Sequence, residues 1–126
     1  GSSHEYPLFP GTGSEQEKGV GNIFNAPLKS GTKGKEFLKI FDQNILRPID
    51  KFKPEIILIS AGFDAHSRDP LASLNLESED FYAITKKIID LANIHSEGRV
   101  ISFLEGGYDL LALSESVHNH LLALKN

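Results

Sequence analysis

Two short stretches hold the residues with chemistry to offer. The first, Ile59 to Leu71, reads ISAGFDAHSRDPL: an apolar run that breaks into a loop with two aspartates, a histidine and an arginine. The second, Glu105 to Asp109, reads EGGYD and also follows an apolar run. A carboxylate and an imidazole suit zinc. In extended backbone, residues two apart point the same way, so Asp64 and His66 are candidates for one metal ion. Two ligands do not complete a catalytic zinc site, which ordinarily takes three from the protein. Taken alone, the pair is better explained by Asp64 capping a turn or accepting backbone N–H bonds, with His66 at the surface. Asp69, before Pro70, reads as a turn residue in either case. In EGGYD, two glycines permit close approach of the backbone to a ligand. Taken alone, this stretch is a tight turn with Tyr108 packed on the sheet. The functional reading has the Tyr108 hydroxyl donating to a developing oxyanion. Gly106 and Gly107 could also cradle a phosphate at the next helix N-terminus, although Asp109 at the cap repels an anion there.

Both stretches need a strand before them. EIILIS (55–60) and RVISFLE (99–105) are continuous apolar runs of the kind found in parallel strands covered on both faces. If they are neighbours, Asp64 and Tyr108 emerge from the same carboxyl edge of the sheet, where open parallel sheets place their sites. Between the strands the pattern is helical. Thr32 caps a first helix with Phe37, Ile40, Phe41 and Ile45 at helical spacing, and Pro48 ends or kinks it. Ser78 caps a second, with Glu79 and Asp80 in its first turn, a stripe of Phe81, Ile84, Thr85, Ile88 and Ala92, and Gly98 as its stop. Asp109 caps a third, with Leu110, Leu113, Val117, Leu121 and Leu124 on its inner face. NIFNAPL (22–28) reads as a short strand ended by Pro27, and residues 1–22 read as an irregular loop segment. A loop over 1–22 followed by β, α, β, α, β, α over 23–126 is the order of an α/β protein, a parallel sheet with flanking helices and right-handed crossovers, in one domain.

The bulk properties narrow the function. The 126 residues are 40% hydrophobic and 24% charged, ordinary for a globular domain. A formal charge of −4, with Lys and Arg scattered, gives no footprint for nucleic acid. No apolar run is long enough to span a bilayer and no signal-peptide pattern opens the chain, so no membrane role is expected. The absence of cysteine excludes disulfides and thiolate metal sites, leaving histidine and carboxylate as ligands; a cytoplasmic location is the expectation. The start at Gly1-Ser2-Ser3 and the lack of methionine point to an expression scar or a chain cut from a longer one. GTGSEQ (11–16) follows no strand and lacks the third glycine of a dinucleotide fingerprint. His118 and His120, two apart on a helix, are poorly placed as a metal pair and are expected at the surface or partly packed. His95 suits a helix C-terminus.

HEYPLFPGTG, ISAGFDAHSRDPL and FLEGGYDL, in that order and at these separations, closely resemble the C-terminal part of the zinc-dependent histone deacetylase family, which includes acetylpolyamine amidohydrolases and acetoin-utilisation proteins. The likeness runs from His4 to about Leu124, and the SAGFDAH form looks most like the class II and bacterial branch. The resemblance implies an arginase-like α/β/α fold with a larger parallel sheet than this chain can build. It implies removal of an acetyl group from a lysine or polyamine amine by zinc-activated water. On it, Asp64 matches a zinc ligand and Tyr108 the oxyanion donor. Phe9 matches a residue lining the acyl-lysine tunnel, Leu71 one at its wall, and Gly106 and Gly107 lie on the substrate side. Ser2 and Ser3 match a structural potassium site. Leu71 leans toward an acetyl-lysine substrate, because polyamine-selective relatives can carry an acidic residue there. His66 matches the family pattern but is not a ligand in it.

The departures matter as much. The family's other two zinc ligands, in a D-x-H segment, and its tandem histidine base lie upstream of Gly1, and nothing in this chain replaces them. Ala72-Ser73 stands where many class II members have Gly-Gly. The expectation is therefore a C-terminal fragment, inactive alone, with an incomplete zinc site. An open sheet edge and bare apolar surface should make it self-associate or leave it only marginally stable. The alternatives are a non-enzymatic α/β binding or scaffold module, and a nucleotide-binding α/β protein using Gly106-Gly107.

Overall fold

A computed structural model describes residues 1–125. Strand β3 (Ile57–Ala61) pairs in parallel with β4 (Val100–Leu104), with Ile57 opposite Val100 and Ala61 opposite Leu104. A second parallel pair joins β1 (Ser2–Glu5) to β2 (Asn25–Leu28). Helices α1 (Gly34–Phe41), α2 (Arg47–Phe52), α3 (Ser78–His95) and α4 (Leu110–Lys125) follow in the order β1, β2, α1, α2, β3, α3, β4, α4. The α/β class with parallel strands and flanking helices is what the chain adopts. Its strands are shared between two separate pairs, and β1 lies inside the segment expected to be irregular. SSHE shows no apolar alternation; pairing makes it a strand, with the Ser2 N–H donating to the Phe24 carbonyl (2.9 Å) and the Tyr6 N–H to that of Leu28 (2.8 Å). Pro27 sits within β2 opposite His4 and does not end it. β2 bonds only to β1, and an edge strand tolerates a residue that cannot donate.

The two pairs face each other across a cavity of about 950 Å³, lined by consecutive residues of β1 and by every residue of β3. Successive side chains of a strand point to opposite faces, so a wall of consecutive residues is a strand edge. The free edges of β1 and β3 therefore both open on this space.

Local chemistry explains most of the helix ends. The Thr32 hydroxyl donates to the Lys29 carbonyl (2.7 Å) and does not cap α1; Lys33 holds that position without a side-chain bond. Phe37, Phe41 and Ile45 are buried as the spacing implied. Pro48 kinks the helix without ending it: a π-helical turn over Asp42–Leu46 leads into α2, which has the proline in its first turn. The wider turn accommodates a ring that would clash with the carbonyl before it and has no N–H to give. Glu77, not Ser78, caps α3, in a reciprocal capping box with Asp80. The α3 stripe buries Phe81, Thr85 and Ala92, joined by Ile89 and Leu91. Gly98 (φ 73°) donates to the Ala92 carbonyl at 3.1 Å and stops the helix.

Asp109 caps α4 as expected, accepting from the Ala112 N–H at 2.7 Å. Its inner face is different: Ala112, Ser116, His120 and Ala123 are buried, while Leu110 and Leu121 are exposed. Small residues let α4 lie close on α3, and that choice turns part of the leucine stripe outward. The strands show the same effect. Leu58 is 62% exposed and Phe103 53%, so the runs that read as covered on both faces have one bare apolar face. The core lies on the other side, where Phe37, Phe41, Ile45, Phe63, Leu74, Leu76 and Phe81 cluster. Among the described residues no helix is long and apolar enough to cross a membrane.

Candidate functional site

The strands β3 and β4 end side by side, and their loops stay tied: the Glu105 N–H donates to the Ala61 carbonyl (2.9 Å) and the Phe63 N–H to that of Gly106 (2.8 Å). This brings Asp64 and the GGY turn together at the carboxyl edge. A Cβ on Gly62 would lie 2.9 Å from Asp64 Oδ1, and one on Gly106 only 2.7 Å from its Cγ and Oδ2. Asp64 thus lies in a cradle that only glycine leaves open. The carboxyl is half-buried, and its desolvation raises its pKa above the usual aspartate value, with the charge of Asp69 adding to the effect. Among the described residues it has no cationic partner. A desolvated carboxylate without a counter-charge is suited to binding a cation. Among the described residues, no three metal-ligating side chains cluster, so Asp64 fits a metal as one ligand of a set.

His66 is not Asp64's partner. The chain turns at this point, with the His66 N–H donating to the Phe63 carbonyl (3.2 Å), so the extended geometry the pairing needed is absent. Nor is His66 at the surface: it is 2% exposed, stacked over Phe81. Its Nδ1 accepts from the Arg68 N–H (3.1 Å) and its Nε2 bonds the Ser78 hydroxyl (3.1 Å). Both ring nitrogens are committed. The Ser78 hydroxyl and the Arg68 guanidinium both donate to Glu115 of α4, which fastens the far side of the loop.

Asp69 does more than shape a turn. Its Oδ1 accepts from the Leu71 N–H (2.9 Å), as a turn aspartate does. Its Oδ2 accepts from the Tyr108 N–H (2.9 Å), across to the GGY turn. The sequence holds no local sign of this contact, because the partner is 39 residues away. His120 is the other residue the sequence misplaced. It is buried between α3 and β4, with Nδ1 2.7 Å from Thr85 Oγ1 and Nε2 2.8 Å from Ser102 Oγ. The Thr85 hydroxyl donates to the Phe81 carbonyl (2.6 Å), so it accepts from Nδ1–H and leaves Nε2 to accept from Ser102. Burial lowers the His120 pKa. Its ring meets the edge of Phe63, next to Asp64, with centroids 5.6 Å apart. His118 is exposed, and His95 bonds Asp50 at 2.8 Å.

Phe9, Asp64, Gly106, Ser2 and Ser3 share the cavity between the strand pairs. Phe9 is 95% exposed at its rim. Leu71, Gly107 and Tyr108 stand outside that lining; Leu71 and Tyr108 are largely exposed, and Gly107 takes a φ of 136° that favours glycine. The Ser2 hydroxyl bonds His4 Nδ1 (2.9 Å), and His4 Nε2 bonds the Gly13 carbonyl (2.9 Å), pinning the loop that carries Phe9.

Residues 1–124 match the family described as histone deacetylase domain. The chain is 41% identical over 127 residues to a chloroplastic histone deacetylase 14 of Arabidopsis thaliana, covering 98% of this chain and 30% of that protein. It is 34% identical over 112 residues to a histone deacetylase-like amidohydrolase of Pseudomonas aeruginosa, covering 85% and 30%. Among solved structures it superposes on the HDA15 HD domain with a TM-score of 0.88 at 29% identity, covering 98% of this chain and 36% of that one. An acetylpolyamine aminohydrolase from Burkholderia pseudomallei gives 0.85 at 22% identity over 97% and 36%, a likeness of fold. The chain thus spans about a third of the length of these proteins.

Proposed function

The chain belongs to the histone deacetylase domain family, and from that premise we propose that it is the C-terminal portion of a zinc-dependent deacetylase catalytic domain. The substrate class is the amide of an acetylated lysine or acetylated amine. The observation that carries the reading is Asp64: a half-buried carboxylate with a raised pKa and no cationic partner among the described residues, held in a glycine cradle beside the GGY turn. Asp64 would supply one ligand to zinc, which when bound polarises an amide carbonyl and makes water nucleophilic near neutral pH. The Tyr108 hydroxyl would donate to the oxygen that becomes negative as the carbonyl is attacked. Phe9 and Leu71 would flank the acyl chain, with Gly106 and Gly107 leaving room for it. Leu71, apolar and exposed, favours an acetyl-lysine side chain over a polycation. Ser2 and Ser3 are the residues for a potassium ion.

The remaining ligands and a general base must come from outside these residues. The edges of β1 and β3, open on one cavity, support the view that further sheet belongs between them. The isolated chain should therefore neither hold zinc tightly nor turn over substrate. With Leu58, Phe103, Leu110 and Leu111 exposed, it should also self-associate. Zinc stoichiometry tests the central assignment. The longest natural parent chain should hold one zinc, and Asp64→Asn should lose it. A parent whose Asp64→Asn variant keeps its zinc would remove Asp64 from the metal site.

A further inference from the structure

We infer that Asp69 is a positioning residue, whose carboxylate fixes the backbone of Tyr108 relative to Asp64; the inference rests on the deacetylase reading above. Gly107, just before Tyr108, has the permissive backbone of a glycine at φ 136°, so the turn does not fix itself. The Tyr108 side chain is half exposed and has little packing to hold it. What holds Tyr108 is its N–H, donated to Asp69 Oδ2 at 2.9 Å. The other oxygen, Oδ1, accepts the Leu71 N–H at 2.9 Å. One carboxylate therefore sets both the oxyanion donor and the apolar wall residue.

Asp69 is well placed to act as a fixed point. It is 9% exposed, and its own N–H donates to the His66 carbonyl at 2.9 Å. His66 is in turn anchored on Ser78 of α3, whose hydroxyl reaches Glu115 of α4. The restraint thus runs from the helices through His66 and Asp69 to Tyr108. Hydrogen bonds from N–H groups to an ionised acceptor are stronger than neutral ones, and shielding from water strengthens them further. Both Asp69 oxygens face backbone amides, so its hydrogen bonds reach the site through Tyr108 and Leu71.

The test uses the longest natural parent chain, with Asp69→Asn, Asp69→Ala, Tyr108→Phe and the double variant Asp69→Asn/Tyr108→Phe. Hydrogen exchange at the Tyr108 amide should be protected in the parent and at least about tenfold faster in both Asp69 variants. For deacetylation by Asp69→Asn, kcat should fall about 10- to 100-fold with KM within about threefold, because misplacement near 1 Å carries costs of that order. In the Tyr108→Phe background the same substitution should change kcat by less than about threefold, since residues acting as one unit are not additive. Zinc content should match the parent in every Asp69 variant. Equal Tyr108 exchange in parent and variants would overturn the inference. So would an undiminished kcat loss in the Tyr108→Phe background, or loss of zinc from Asp69→Asn. If Asp69→Ala does not fold, Asp69→Asn, which keeps one acceptor, still decides. A parent that shows Asp69-dependent protection of Tyr108 but no deacetylation would sink the deacetylase reading and leave the positioning contact standing.

Discussion

Replacing Gly106 by alanine should damage the site while sparing the fold. The added Cβ would lie 2.7 Å from Asp64 Cγ, where ordinary contact begins at 3.4 Å, so the carboxylate must retreat by 3.4 − 2.7, about 0.7 Å. Gly106 does not have a left-handed φ, so alanine fits its backbone without strain. The whole effect should therefore fall on the Asp64 carboxylate. A shift approaching 1 Å in a positioned group costs on the order of 100-fold in rate. For the zinc-loaded parent chain we expect zinc affinity to drop about 10- to 100-fold in competition with a chelator, and kcat/KM to drop by a similar factor. The metal-free variant should melt within about 2 °C of metal-free parent, because less than 0.5 kcal/mol of stability is at stake at an unstrained loop position. Gly107→Ala makes the contrast. Its φ of 136° and a Cβ 2.8 Å from Leu113 Cδ1 put the strain in the fold, so that variant should lose stability first. A Gly106→Ala protein with normal zinc affinity and normal turnover would mean that Asp64 does not sit at the metal.

Two further predictions concern the buried polar groups. His120 is held neutral by burial, its pKa below the usual 6.5. A depressed folded pKa means the unfolded chain takes up the proton first, so this stability is present above pH 6.5 and lost as pH falls through the folded value. The slope is at most about 1.4 kcal/mol per pH unit. Melting temperatures of His120→Gln should depend less steeply on pH just below 6.5 than those of the parent; parallel profiles would contradict this. Ser116 is fully buried in α4, and its hydroxyl finds no partner among the described residues. Ser116→Ala should stabilise by about 1 kcal/mol, raising the melting temperature by about 4 °C, and a lower melting temperature would show that the hydroxyl is satisfied.

The legible parts of the chain were those governed by local pattern. Continuous apolar runs and helical stripes pointed to the β-α-β-α order, and the alternation implied the parallel sense in which β3 and β4 pair. Asp109 at its cap and Gly98 at its stop were readable because each acts on its own helix. What escaped was long-range. The polar SSHE becomes a strand only because β2 offers a ladder. Asp69 reaches Tyr108 from a distant loop, and no spacing rule marks such a contact. His66 read as a surface residue and His120 as surface or partly packed, because burying an imidazole needs partners, here Ser78, Thr85 and Ser102, that are distant in sequence. The inner face of α4 was misassigned in part, for a related reason: Leu113 and Val117 pack on the core, while Leu110 and Leu121 turn outward. Apolar periodicity favours the leucines, but close contact with α3 selects Ala112, Ser116 and Ala123. The proposed site residues rest mainly on the three motifs in register, since a lone D-x-H or GGY carries little.

The central claim is that Asp64 and Tyr108 belong to a zinc-dependent deacetylase. The most direct measurement is acetate release from an acetyl-lysine peptide by the longest natural parent chain, with and without a zinc chelator, beside its Tyr108→Phe variant. The account predicts release that chelation abolishes and that zinc restores, with the variant slower by about 100-fold or more. A parent that releases no acetate from lysine or polyamine substrates, or whose Tyr108→Phe variant is as fast, would contradict it and favour a binding module that retains the fold.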